Sequence, residues 1–554
     1  MIKDQERAQQ ILDSLEVAQE ACVEFFQAIS VGDNTTAKTI SDDLQGLLGS
    51  LREIGKQLSN ESGGTLLHNA CDSLLDSLYR ATSLIPLNRE SALNKIEFEL
   101  MPILQDAYSQ FYFWSCVYPN PLRMKNYYEN EKRVLHTNRY IEESEKTGRY
   151  KYELTITVLA FNKLEYTKKC VESILETIPH NLNYELILIN HGSTDGTKEY
   201  FESIKPTKQL DIKVNGILGA IASRIIEGEY VISFSNDVIA GDNAIENMMR
   251  CMKDNPDLGF GVPSTPNVSN FQNIYEKYNT TESEMREFCI SNNKYDPFRH
   301  EKRARLCNPV TFFRSSIWFS AIGADGHYFS NNKANYPDDV LSMLTRRSNY
   351  KCILAKDAYC FHFGSITIRD EISKNEETAI YDRGRREFIN VFGINPWGIG
   401  FCHHPLFDQL ISLTSYEKVN ILGINSGLGS NPLRIKELYK EKQHNLDAIV
   451  YNITDQRSYL EDLRGVSDFV FYTKYVFMLS VSDDFPKEYH HIVIDVLPES
   501  DIEALSLICK CVEHLVSGGS AYVNIAGGKE IEKSIEDYFP KAVFSEHWVR
   551  IQVD

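Results

Sequence analysis

Three short runs constrain the fold more than anything else in the chain: Leu154 to Phe161 (LTITVLAF), Tyr184 to Asn190 (YELILIN) and Tyr230 to Phe234 (YVISF) are apolar almost without interruption. A strand wet on one face alternates apolar and polar residues. An unbroken apolar run needs cover on both faces, the condition of a parallel sheet flanked by helices. Leu164 to Thr177 and Ala244 to Met252 have helical spacing, and another helix opens near Asp195. Strand and helix alternate, so residues 150 to about 400 are expected to form an α/β domain around a mainly parallel sheet. Ligands of such sheets sit beyond the C-terminal ends of the strands.

Each run gives way to polar residues. Phe161-Asn162-Lys163 ends the first, Asn190-His191-Gly192-Ser193-Thr194-Asp195-Gly196-Thr197 the second, and Ser235-Asn236-Asp237 the third. The glycines permit a tight turn beside a ligand, and Ser193, Thr194 and Asp195 are fitted to cap the next helix. By itself such a cluster is as well read as a capped loop.

The 554 residues exceed one core and suggest three to four domains. Ala8, Ile11, Leu15, Ala18, Cys22, Phe25 and Ile29 recur at helical spacing, as do Ala37, Ile40, Leu44, Leu47, Leu51, Ile54 and Leu58, so residues 1–118 read as a helical bundle. The stripe reads as bundle core rather than as a protein-docking surface, and the helical domain is the place expected for a second copy of the chain or a protein partner. Residues 119–150, charged and Tyr-rich, read as a solvated connector. The α/β domain is assigned to 151–405, and a second strand–helix alternation, from Val419 to Ile525, to a Rossmann-like unit over 415–554. No repeat of 20 to 50 residues occurs.

With 58 Lys and Arg against 77 Asp and Glu, the net charge of −19 repels polyphosphate backbones, so nucleic acid is not an expected partner, although a single diphosphate needs only a metal ion or a few aimed donors. No apolar segment behind basic residues follows Met1, and none is long enough for a bilayer. The 12 cysteines lack zinc-site or disulfide-framework spacing and read as reduced thiols, which points to the cytoplasm.

The ordered segments TVLAFNKLEYTKKCVESIL, ELILINHGSTDGTKEY and GEYVISFSNDVIAGDNAIENM resemble family 2 of the glycosyltransferases, with the GT-A nucleotide-sugar-binding fold. The likeness continues through Ile322 to Gly326, Tyr336 to Val340 and Cys360 to Gly364. The resemblance implies a nucleotide-binding set of Ala160, Phe161, Asn162, Asn190, Ser193, Ser235 and Asn236. It implies Asp237 as ligand of Mn2+ or Mg2+, with His362 approaching the metal or diphosphate. Asp339, beside Asp338, becomes the general base of an inverting transfer. Arg346 and Arg347 stay outside the catalytic set. Asn190 stands where many relatives have Asp, and Ser235 replaces the first acid of the metal motif.

The implied donor is a nucleotide-diphosphate sugar, a UDP-sugar first, and the acceptor a glycan or protein of a bacterial surface, flagellin among them. The polar and aromatic segment from Pro263 to Leu306 is read equally as acceptor contact and as surface excursion. Val419 to Gly429 (VNILGINSGLG) resembles the opening of class I methyltransferases. There a fold that has lost catalysis is favoured over one that takes S-adenosylmethionine, because Tyr451-Asn452 replaces the acid expected after the second strand. The alternatives to a glycosyltransferase are a bifunctional enzyme that also methylates and a non-catalytic sugar-binding scaffold.

Overall fold

A computed structural model describes residues 5–60, 63–131, 138–213, 221–275, 282–318, 336–364, 374–398, 405–444, 446–474, 485–526 and 528–554. The chain forms two compact units. The first comprises Met1–Ala240, Pro309–Pro337 and His362–Val391, the second Gly241–Asn308, Asp338–Phe361 and Phe392–Asp554. The stretch 151–405 therefore contributes to both. Its strands, in chain order, are β1 (Tyr152–Ala160), β2 (Tyr184–His191), β3 (Lys208–Ile212), β4 (Gly228–Ser235), β5 (Val238–Ile239), β6 (Leu258–Ser264), β7 (His300–Arg303), β8 (Val310–Arg314), β9 (Lys351–Tyr359) and β10 (Phe361–His362).

In the first unit β1 pairs in parallel with both β2 and β4, β2 pairs in parallel with β3, and β8 runs antiparallel to β4. The apolar runs are buried as their composition demands: Ile156, Val158, Ile187, Leu188, Ile189 and Ile232 are inaccessible to solvent. Ahead of β1 the described residues are helical, with Gln5–Val31, Asn34–Gln57 and Gly64–Leu84 followed by a nearly continuous helix from Arg89 to Val117 that contains two π turns. The helically spaced Ala8, Ile11, Leu15, Ala18, Cys22, Phe25 and Ile29 of the first helix are all buried.

Residues 119–150 hold the helices Pro121–Asn126 and Arg139–Thr147. The second is tied down by one polar side chain. Asn138, 1% exposed, accepts from the N–H groups of Tyr140 and Ile141 and donates to the carbonyls of Ser223 and Ile226 at 2.6 and 2.9 Å.

The helices cover the exposed edge of β3, where an open ladder would otherwise invite pairing. Arg80 reaches Asp211 at 3.0 Å, and the Ser73 hydroxyl accepts from the Lys213 N–H. At the other end of β3, Lys208 lies between Glu185 (2.6 Å) and Glu227 (2.7 Å), donates to the Ile225 carbonyl, and sits 4.7 Å from the centre of the Phe98 ring.

In the second unit β9 pairs in parallel with β6 and antiparallel with β7. The C-terminal strands are β11 (Lys418–Ile424), β12 (Asp447–Thr454), β13 (Phe469–Tyr472), β14 (Tyr489–Ile494), β15 (Leu515–Asn524), β16 (Val543–Ser545) and β17 (Trp548–Gln552). They form one sheet in the order β13-β12-β11-β14-β15-β17-β16, with β17 antiparallel to both neighbours. β11 is covered on both faces, Leu422 and Ile424 in one apolar cluster and Val419 and Ile421 in another. The helix Ser430–Lys442 joins this sheet to β7: Arg434 meets Glu301 at 2.7 Å, and Glu437 accepts from the Lys302 N–H at 3.0 Å. Among the described residues no helix is long and apolar enough to cross a membrane.

The Lys208 triad yields a stability prediction. Lys208→Met leaves the Glu185 and Glu227 carboxylates buried without their shared cation and is expected to cost about 3 to 5 kcal/mol. Urea unfolding of the full chain measures it, and a loss below about 1 kcal/mol, the scale of a surface pair, would contradict the triad's role.

Candidate functional site

The parallel register sets the strand ends level, Ala160 opposite Asn190 and Leu159 opposite Ser235. The loops that leave them bind one another. Asn162 and Lys163 both turn left-handed, with φ of 53° and 60°. The Asn162 N–H donates to Ser193 Oγ at 2.8 Å, its side-chain oxygen accepts from the Thr194 N–H at 2.9 Å, and its carbonyl accepts from Asn236 Nδ2 at 3.1 Å. Asn190 accepts from the Ser193 N–H at 3.0 Å and donates to Asp211 at 3.3 Å. Between them His191 is buried, neither ring nitrogen has a hydrogen-bond partner among the described residues, and burial lowers its pKa to about 4, so it is neutral.

The expected capping comes from Asp195 alone and serves two helices. One oxygen accepts from the Thr197 N–H, at 3.2 Å, and the other from the Leu164 N–H, at 2.8 Å. Both N–H groups belong to first helical turns that lack intrahelical partners. The N-cap position itself is Gly196, with φ 93°. Of the seven residues expected to hold a nucleotide, Asn162, Asn190, Ser193 and Asn236 thus interlock, Phe161 and Ser235 stand half-buried beside them, and Ala160 is buried in the strand.

Asp237 follows this ledge. Its carbonyl accepts from the Phe363 N–H at 3.0 Å, which draws the β10 end alongside, and its Oδ2 lies 3.3 Å from His362 Nε2. Two ligands about 2.1 Å from one ion and at right angles would be about 3 Å apart, so the pair fits adjacent positions on a divalent cation. Among the described residues no three His, Cys, Asp or Glu side chains gather in a metal-binding group. An ion held here would complete its shell from a ligand's oxygens and water.

The acid pair belongs to the second unit, in the first turn of the helix Pro337–Arg347. Asp339 is 5% exposed and its Oδ1 accepts from Arg305 Nε. Burial raises its pKa, while the charges of Arg305 and Arg346 oppose the rise. Asp338 accepts from the Asn308 N–H at 3.4 Å. Burial, and then the Asp339 charge, push it up to about 7. Arg346 and Arg347 both bond the buried carboxylate of Asp462, and Arg347 also lies 3.8 Å from the exposed Glu461 carboxylate.

Sequence reasoning did not find Arg305, Asp211 or Asp462. No spacing signals them, because each acts through a partner distant in sequence. The Ile322 to Gly326 segment lies outside the described residues, as do residues 276–281 of the Pro263 to Leu306 insertion.

Residues 155–318 match the family model Glycosyl transferase family 2. Two solved structures show slight similarity. A crystal structure of GalNAc-T7 with UDP, GalNAc and Mn2+ has a TM-score of 0.30 and 9% identity, over 38% of this chain and 44% of that one. A crystal structure of S. aureus TarS has a TM-score of 0.27 and 13% identity, over 38% of this chain and 36% of that one. The chain thus spans less than half the length of either. No curated protein matches the chain.

The acid pair is testable by titration. Carboxyl-carbon NMR is expected to show a group titrating near pH 7 that disappears in Asp338→Asn, distinct from Asp495, which burial also raises to about 7. A raised acid stabilises the fold fully below its unfolded pKa, and that contribution is lost as pH rises through about 7. Loss of no titration near 7 in Asp338→Asn would contradict the assignment.

Proposed function

We propose that this protein is a glycosyltransferase of GT-A fold, moving a sugar from a nucleotide-diphosphate donor, a UDP-sugar first, to a hydroxyl of a surface glycan or protein with inversion at the anomeric carbon. The observation that carries the reading is the family match over residues 155–318, which contain all three polar strand ends. Ala160, Phe161, Asn162, Asn190, Ser193, Ser235 and Asn236 line the nucleotide. The Asn190 side-chain oxygen accepts one backbone N–H and has a second lone pair for a pyrimidine imide proton.

Asp237 and His362 hold Mn2+ or Mg2+, whose chemistry is to offset charge on the departing diphosphate. Asp339 takes the proton of the acceptor hydroxyl, and the Arg305 charge opposes the rise in pKa that burial imposes on it. One displacement from the side opposite the leaving group inverts the centre. Asp338, with its pKa near 7, donates or holds a proton beside the base.

The assigned domains are a helical bundle at 1–118, a connector at 119–150, the transferase at 151–405 and a methyltransferase-related unit at 415–554. The order of β13, β12, β11, β14 and β15 is 3-2-1-4-5, that of a dinucleotide-binding sheet, which supports the Rossmann-like reading. A lost cofactor site is favoured over bound S-adenosylmethionine. A Cβ at Gly423 would stand 2.1 Å from Asn452 Oδ1 and 2.5 Å from Pro432 Cγ, so the chain's own side chains use the close approach that this glycine permits. The helical N-terminal domain is assigned to a protein partner or a second copy, and the location to the cytoplasm.

UDP release from a panel of UDP-sugars with Mn2+ tests the proposal. The wild type is expected to release UDP, and Asp339→Asn to lower the rate about 10²- to 10⁴-fold with donor affinity unchanged. No release from any donor, or equal rates in the two proteins, would contradict it.

A further inference from the structure

The helix Pro337–Arg347 carries the acid pair in its first turn and two arginines in its last, and both arginines bond one carboxylate of the C-terminal domain. Asp462, fully buried in the short helix Leu460–Arg464, takes Arg346 Nε and Nη2 on Oδ1 at 3.1 and 2.5 Å. It takes Arg347 Nε and Nη2 on Oδ2 at 3.1 and 2.8 Å. The remaining Arg346 nitrogen, Nη1, donates to the Ala304 carbonyl, and the next residue, Arg305, holds Asp339 Oδ1. The bonds therefore close a ring from Asp462 through Arg346, the 304–305 backbone, Arg305 and Asp339, then along the helix to Arg347, which returns to Asp462.

A second contact presses the same helix end. A Cβ at Gly465 would lie 2.5 Å from the Arg346 carbonyl oxygen, so the chain after Asp462 packs on the helix backbone itself. A contact that only glued the domains together would not need to run through the backbone carrying Asp339's cation.

We infer that Asp462 is a positioning residue for the Asp339 carboxylate, so that the C-terminal domain is a working part of the transferase. The inference rests on the proposed glycosyl transfer and gives that domain a role that needs no cofactor. Positioned groups are sensitive to small displacements, and misplacement by about 1 Å costs up to about 10²-fold in rate.

The test uses the full chain as Asp462→Ala and Asp462→Glu, with three readouts: UDP release, UDP-sugar affinity, and hydrogen exchange of residues 304–306 and 337–347. Asp462→Ala is expected to lower kcat about tenfold or more, leave donor Kd within about twofold, and speed exchange in those two segments, with Asp462→Glu restoring most of the rate. In an Asp339→Asn background, Asp462→Ala is expected to add nothing, since the two act as one unit. A folded Asp462→Ala with kcat within about twofold of wild type, or a fully additive loss with Asp339→Asn, overturns the inference. If Asp462→Ala does not fold, Arg347→Gln decides, because it removes the Oδ2 bonds and leaves those to Oδ1, its other partner being the exposed Glu461 at 3.8 Å: a lower kcat at unchanged donor Kd supports the inference and an unchanged kcat overturns it. A wild type that releases no UDP overturns the transferase reading, and exchange alone then judges the brace, unchanged exchange in Asp462→Ala overturning it as well.

Discussion

The parallel pairing of β1 with both β2 and β4 is the constraint on which the first unit's chemistry depends. It sets Ala160, Asn190 and Ser235 level at one edge of the sheet, so the three loops that leave them meet within hydrogen-bonding reach. Asn162 then links all three, through its N–H, its side-chain oxygen and its carbonyl. On this ledge each of these bonds ties one loop to another. A ligand placed on it therefore meets a surface that does not have to reorganise, which is the condition for binding energy to be used in orientation.

Buried charge organises the flanks in the same way in each unit. In the first, Arg80 of the N-terminal helices meets Asp211, which in turn accepts from Asn190. Here a flanking helix reaches the polar ledge through a single carboxylate. In the second, Asp462 of the C-terminal domain holds Arg346, which reaches the backbone next to Asp339's partner. Buried ion pairs contribute little net stability when intact and cost several kcal/mol when one partner is removed. Their value at these positions is in fixing orientation, which a purely apolar interface supplies less specifically.

The strands β1, β2, β4 and β11 to β15 were legible because burial on both faces leaves a continuous apolar composition, whereas β3, the strands from β5 to β10, and β16 and β17 were not read from the sequence. Leu164–Thr177 and Phe469–Tyr472 begin and end where periodicity puts them. The polar ledge was legible as a cluster because its members directly follow strands. Its wiring was not, since Asp195 caps two helices instead of one, 31 residues apart at Leu164. The long-range partners left no local trace: Arg305 and Asp339 are 34 residues apart, Arg346 and Asp462 116, and Arg80 and Asp211 131. The helix Arg139–Thr147 was hidden for a different reason. It buries only Ile141 and Ser144, too few for an apolar period, and owes its place to the polar Asn138.

The central claim is that the ledge and the Asp237–His362 pair together bind a nucleotide-diphosphate sugar through a divalent ion. Calorimetric titration of UDP- and dTDP-sugars with Mn2+, on the wild type and on Asp237→Ala, tests it most directly. The account predicts saturable, Mn2+-dependent binding in the wild type that weakens at least about tenfold in Asp237→Ala. Equal affinity in the two proteins, or no nucleotide binding across the panel, would contradict it.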